Sequence, residues 1–466
     1  MEPYQRFHVT GRFVFDGDKS VLTHDVAVQI EQSGSGRTFL LHEDTAPFMM
    51  ARLMMQSGSR CSFVGVTNSG LPVETSTLMP HAGGSAEQVC YFLQRVTLGD
   101  LSSPYDHLWL ALTNFVFEGD EPATITFRVE CDGRLVALEL SPIDDYWTAH
   151  AHLTRSANAT VTANLKLGGD AVGKNSLDLL LNDVCATLSL IQGRKIQWIS
   201  RTAVVSGRTT WADFGSTKTK DYTHGLFCFN PDTGRGISVP LSAFETCFPV
   251  VQGFRSSYDE HYRIINSWLD ARVQADFLDA RTLKYAVVME ALCRFVESKH
   301  PSIDSTYFGR TPWRAAGKEL LPKIKEYLER LNLGDADARE SVCSRASWGN
   351  LNRRSFRSIL AACLKELGVT LYAESRRIRR FTDVRNKIVH SFTYLSEEDQ
   401  AEFNWPSVSE SQQHFLVACF VDEVLLRLFG LGHLVTNALI DEFVAHSEVW
   451  SAAAPHTEAI SASGSE

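Results

Sequence analysis

The hydrophobic rhythm of this chain changes once, and that change limits what the chain can fold into. From about Phe7 to about Val250, apolar side chains recur at every second position in short runs, the period of a half-buried strand. Beyond about Tyr258 they recur every three to four residues, the period of a helix with one buried face. One pattern cannot serve both conformations. The spacing therefore predicts an α+β multidomain protein: a β-rich domain over residues 1–250 and an all-helical domain over 255–446, with the boundary near 250–258. At 466 residues the chain is long enough for two or three cores.

In the first region the runs 13–15, 26–30, 108–112, 124–129 and 134–140 are rich in β-branched and aromatic residues. Turn signals at 16–17, 68–70, 118–120, 132–133, 168–169 and 231–234 punctuate the region. Many short strands at this spacing predict a sandwich or barrel, or two packed β modules, with one helix over 177–190. In the second region Ile264, Trp268, Leu269, Val273 and Phe277 open an apolar stripe that continues through Val288, Leu292 and Phe295 to Pro301. Further helices are predicted over 312–333, 353–367, 372–389 and 407–429. The last begins on a capping-box pattern, Ser407 with Glu410, and stops at Gly430. The small, polar residues 451–466 read as a disordered tail.

Several function classes are disfavoured at once. Residues 1–11 carry Glu2, Arg6 and His8 and lack the apolar core of a secretion signal. The apolar run 415–421 ends at Asp422, far short of the ~20 residues that a membrane span needs. Ten cysteines with no CxxC pair fit reduced thiols in a cytoplasmic protein. His150 and His152 form an HxH that reads as strand-facing histidines rather than zinc ligands, so neither metal nor cofactor is expected. A net charge of −10 argues against a surface coated in nucleic acid but leaves room for a local basic groove.

The run 381–390, FTDVRNKIVH, carries the chemistry. On a helix Phe381, Val384 and Ile388 share one stripe and face the core. Asn386 and His390 lie four apart on the opposite side, with Arg385 between the two faces. A ribose 2′-OH can attack the adjacent phosphorus if a base takes its proton and a cation stabilises the phosphorane. Imidazole titrates near neutrality, guanidinium offers planar donors to phosphate, and an amide can orient either group. Arg and His at this spacing are common, and alone they also fit a solvated helix face.

The run VRNKIVH, late in a helical region, resembles the RNxxxH signature of HEPN domains. Glu290 and Arg294, in the sequence EALCR, match the E-x3-K/R pattern found upstream in that superfamily. A β-rich half placed before such a domain resembles the ApeA-type family of bacterial anti-phage proteins. The HEPN resemblance spans 258–446, and that of residues 1–250 is one of layout. It implies a helical bundle that forms a homodimer with two R-x4-H motifs across a shared cleft. It also implies metal-independent endonuclease cleavage of RNA, tRNA above all, leaving a 2′,3′-cyclic phosphate. Arg385 and His390 would then be catalytic with Asn386 beside them, and Glu290 and Arg294 supporting. The N-terminal domain would be a sensor for a phage protein, and the outcome abortive infection. Some HEPN toxins carry a tyrosine two residues after the histidine that a partner enzyme modifies; here that position is Phe392, and the nearest tyrosine is Tyr394.

Between Cys343 and His390 eleven basic residues face three acidic ones, a net +8 inside an acidic chain. Arg376, Arg377, Arg380 and Lys387 are the expected RNA contacts. Some of these arginines can instead pair with acidic patches of the N-terminal domain. Trp348, Phe356, Tyr372 and Phe381 lie among them, as base-stacking groups or as core. The competing reading is a non-catalytic HEPN module that only dimerises or binds a nucleotide.

Overall fold

The computed structural model describes residues 6–15, 25–32, 38–42, 60–80, 89–119, 121–131, 133–156, 160–168, 174–215, 229–230, 235–236, 239–258, 261–273, 276–300, 303, 306–344, 354–371, 374–403, 405 and 407–434. The turn signals at 16–17 and 231–234, residues Arg345, Trp348, Arg353 and Tyr372, and the tail 451–466 lie outside the described residues. The chain divides into two compact units. The first holds residues up to Phe227 with Gly236–Ser256 and Arg272–Asp276; the second holds Cys228–Arg235, Ser257–Ala271 and the chain from Phe277 onward.

The first unit is built on one antiparallel sheet. Its strands are β1 (Arg6–Phe15), β2 (Val26–Gln32), β3 (Thr38–His42), β4 (Cys61–Thr67), β5 (Pro72–Thr75), β6 (Leu78–Pro80), β7 (Val89–Leu93), β8 (Arg95–Gly99), β9 (His107–Thr113), β10 (Ile125–Cys131), β11 (Arg134–Pro142), β12 (Val161–Gly168), β13 (Trp198–Val205) and β14 (Arg208–Gly215). They pair in the order β10-β11-β12-β9-β13-β14-β8-β5-β4-β1-β2-β3-β7-β6. The strands expected to form a sandwich, a barrel or two packed β modules form a single 14-stranded sheet, its two halves joined where β14 pairs with β8 through Trp211↔Gly99 and Phe214↔Val96. Alternate residues explain the β1-to-β8 half: Val9, Phe13, Phe15, Ile30, Phe63, Tyr91 and Leu98 enter one core, while their neighbours face outward. The far-edge strand β6 lies close to β4, so this half curls over its own core. In the other half β9 and β13 are buried on both faces, which is why 108–112 reads as a nearly continuous apolar run.

Among the described residues three α-helices accompany the sheet: α1 (Tyr146–Ser156), α2 (Lys174–Gln192) and α3 (Phe244–Tyr258). The expected helix over 177–190 is α2, which buries Leu177, Leu181, Val184, Leu188 and Ile191. His150 and His152 are not on a strand. They lie two apart on α1, on different sides of a helix, and His150 stacks on Tyr146 at 5.7 Å. Phe244 of α3 packs on Phe127 at 4.4 Å, and Arg255 donates to both oxygens of Asp183 at 3.0 and 3.1 Å. α3 thus runs straight through residues 250–255.

The second unit is helical: α4 (His261–Ala271), α5 (Leu278–Lys299), α6 (Arg310–Arg330), α7 (Ala336–Val342), α8 (Phe356–Glu366), α9 (Glu374–Ser391), α10 (Glu397–Glu402) and α11 (Glu410–Leu428). α5 lies at the centre, packed against α4, α8, α9 and α11. α9 buries Ile378, Phe381, Val384 and Ile388, with Phe381 stacked on Phe420 of α11 at 4.6 Å. The capping box of α11 is two residues later than the sequence pattern indicates: Ser409 accepts from the Gln412 amide, and Gln412 accepts from that of Ser409. α6 packs mainly on α7 and leaves Leu320, Tyr327 and Leu331 exposed.

Candidate active site

The first residue that positions this site is Val384. Its burial, with that of Phe381 and Ile388, fixes the rotation of α9 and turns Arg385 toward the seam with α5 and α8. There the Arg385 guanidinium meets Glu290 of α5. Nε donates to Oε1 at 3.0 Å, and Nη2 makes a second, shorter bond to the same oxygen. Nη1 donates to Oδ1 of Asn386 at 2.9 Å. The guanidinium also lies over the Phe356 ring of α8, 4.7 Å from its centroid, so Phe356 acts as a floor for the cation rather than as a base-stacking group. Three helices thus hold one arginine, whose side chain keeps 13% of its exposure.

Glu290 is shared. Its other oxygen lies 4.0 Å from Arg294, one turn further along α5, whose side chain is 80% exposed. One carboxylate between two guanidiniums leaves a net positive charge at the surface, the sign that a phosphate requires. Asn386 is exposed, and its amide nitrogen remains beside the oxygen that orients Arg385. His390 is exposed, one helical turn beyond Asn386 (about 6 Å of rise). The structure thus brings Glu290, Arg294, Arg385 and Asn386 together and sets His390 at the open edge of the group.

The chain leaving His390 is anchored. Phe392 has a left-handed backbone (φ 55°) and is 69% exposed. Two residues on, the Tyr394 hydroxyl is buried at 2.6 Å from Thr282 Oγ1, which also lies 2.6 Å from His414 Nδ1 and donates to the Leu278 carbonyl. Burial holds the His414 pKa down at about 3 and pushes that of Tyr394 up to about 12. The tyrosine nearest the motif is therefore shielded within the fold.

The expected RNA contacts divide. Arg376 is exposed. Arg380 is half-buried, with its guanidinium 5.5 Å from the Trp405 centroid. Lys387 pairs with Asp399 at 2.8 Å; that hydrogen bond and two from Ser396 hold the Asp399 carboxyl at about 2. Arg377 is not a surface residue. It is 6% exposed and bonded to the fully buried Glu423, whose other oxygen accepts from Arg427 at 2.8 Å. It lies four residues before Phe381, on the apolar stripe itself, and that position is the sequence signal that it faces inward. Arg357 and Arg379 share Asp383 at 3.0 and 3.7 Å, which further reduces the free charge of the basic segment.

Among the described residues no group of three or more His, Cys, Asp or Glu could hold a metal ion. None of the described helices is long and apolar enough to cross a membrane. No family model, curated protein or solved structure matches the chain.

Proposed function

We propose that the helical unit is an endoribonuclease of the HEPN kind, cutting RNA, with tRNA as the expected substrate, without a metal ion. The observation that carries this reading is the Arg385 cluster: a guanidinium oriented by Glu290, Asn386 and Phe356 on the helix that exposes His390 one turn beyond Asn386. A preset cation need not reorganise as charge develops on a phosphorane, which is where such catalysis gains most. His390 takes the proton of the 2′-OH as the new O–P bond forms. The 5′-oxygen leaves with a proton from His390 of a second copy, and the product is a 2′,3′-cyclic phosphate and a 5′-hydroxyl. The homodimer supplies both histidines. Glu290 and Arg294 are positioning residues in this scheme, because they act through Arg385 and the local field.

In this reading residues 1–250 are the sensor, engaged by a phage protein, and release of the nuclease ends in abortive infection. Two features favour catalysis over a module that only dimerises. Asn386 and Glu290 both hold the arginine in place, and the histidine is left open to solvent. The test is RNA sequencing of cells expressing the protein or its His390→Ala variant, with the purified proteins assayed on total RNA in EDTA. The substitution is expected to lower cleavage by roughly 10²–10⁴-fold with the fold intact. Full activity of a folded His390→Ala protein would overturn the mechanism.

A further inference from the structure

Phe392 is anomalous in two ways. Among the described residues four non-glycines have a left-handed backbone, and the other three are Asn114, Ser206 and Asn332, small polar residues that tolerate that region. A phenylalanine there is strained, and helix ends in this conformation usually carry glycine or asparagine. The phenyl ring recovers little by packing, since the residue is 69% exposed. Its amide donates to the Ile388 carbonyl at 3.0 Å, so the strained geometry is fixed by the end of α9 itself. Strain kept at a position where glycine would relieve it points to use of the side chain. Residue 392 is two residues past His390, within about 7 Å along the backbone.

We propose that Phe392 is a stacking platform for the nucleobase adjacent to the phosphate handled by Arg385 and His390, which makes the ligand a single-stranded or unpaired segment of RNA. The inference rests on the reading of the site as a phosphate-handling one. A duplex cannot offer an unstacked base face to a ring fixed to the same helix end as the proton-transfer group. A loop or a splayed strand can, and the aromatic face accepts any base. Specificity at this subsite is therefore for strand state rather than for sequence.

The test uses the full-length protein in the His390→Ala background, where RNA is bound but not cut, and a single-stranded RNA oligonucleotide carrying 2-aminopurine. Phe392→Gly is expected to weaken binding by about 5- to 100-fold and to abolish quenching of the probe, with the melting temperature unchanged or raised. Phe392→Trp is expected to restore both binding and quenching. Binding by Phe392→Gly within twofold of the parent overturns the proposal. So does a fall in melting temperature, which would make the ring a packing element, or a shift from dimer to monomer in sedimentation, which would make it a contact between copies. Cleavage of the same oligonucleotide by the otherwise native chain separates this inference from the one it rests on. Binding and quenching without cleavage would leave the platform standing and remove the nuclease. Cleavage with an unchanged KM in Phe392→Gly would do the reverse.

Discussion

α9 carries two arginines held by glutamates from neighbouring helices, and the two pairs sit in opposite surroundings. At its amino-terminal end Arg377 is sealed against Glu423, with exposures of 6% and 0%, and Arg427 closes the far side of that carboxylate. Near its other end Arg385 meets Glu290 where the pair keeps 13% and 23% of its exposure, and Asn386, Arg294 and His390 stand on the solvent side. A sealed pair can only hold two helices together, because breaking it strands a charge in a dry interior. A pair open on one side fixes a cation and still presents it to a ligand. One helix thus carries a structural strut at one end and an accessible cation at the other.

The comparison breaks most readily at the glutamates. Glu423→Ala is expected to destabilise the helical unit by about 3–5 kcal/mol, since Arg377 stays buried without its partner. Glu290→Ala is expected to cost roughly 1 kcal/mol, because Arg385 lies at an open edge and can turn toward water, while RNA cleavage falls by about 100-fold as Arg385 loses its orientation. Denaturant melts and cleavage rates on the two variants read both quantities. Equal losses of stability would erase the distinction between the two ends.

The histidines repeat the contrast, His414 sealed and His390 open. His414 is held neutral by burial, its pKa lowered from 6.5 to about 3. A depressed folded-state pKa stabilises fully above the unfolded value and is lost as pH falls, because the unfolded chain binds the proton first. Urea unfolding is therefore expected to show stability declining below about pH 6.5 by up to about 1.4 kcal/mol per pH unit. His414→Asn should remove that part of the slope. An unchanged slope in the variant would locate the acid sensitivity elsewhere.

The smallest effect sharpens the comparison at neighbouring positions. Arg376→Glu is expected to leave the fold intact and to reduce the salt dependence of RNA binding by about 0.7 in log–log slope, the share of a single neutralised phosphate. Arg377→Glu, one residue along, is expected to unfold the unit instead by setting two carboxylates together. An unchanged slope for Arg376→Glu would mean that this residue touches no phosphate.

Periodicity makes much of this legible. The stripe Phe381, Val384, Ile388 predicts the rotation of α9, and the alternation through Phe13 and Phe15 predicts the inner face of β1; both follow from local spacing. What spacing does not encode is which distant group meets an exposed one. Glu290 and Arg385 are 95 residues apart, and Arg201 and Asp213, both buried in the sheet unit, satisfy each other across β13 and β14. Net charge summed along the chain misplaces Arg377, because the sum ignores which helical face each charge occupies. Two residues of spacing misplace the histidines of α1, because that spacing also fits a strand, although Tyr146, His150 and Leu153 already fall on one helical side. Spacing singles out Phe392 only as a phenylalanine two residues past His390; its left-handed backbone and its exposure are visible only in the fold.

The hairpin of α6 and α7 has a practical consequence. It leaves the chain after the helix that carries Glu290 and ends before the one that carries Phe356, and its two members pack mainly on each other. Its turn at Gly334 is exposed, with φ 70°. An exposed turn between two helices is where chains accept foreign sequence. A reporter fused at Gly334 is therefore expected to leave Glu290 and Arg385 in register.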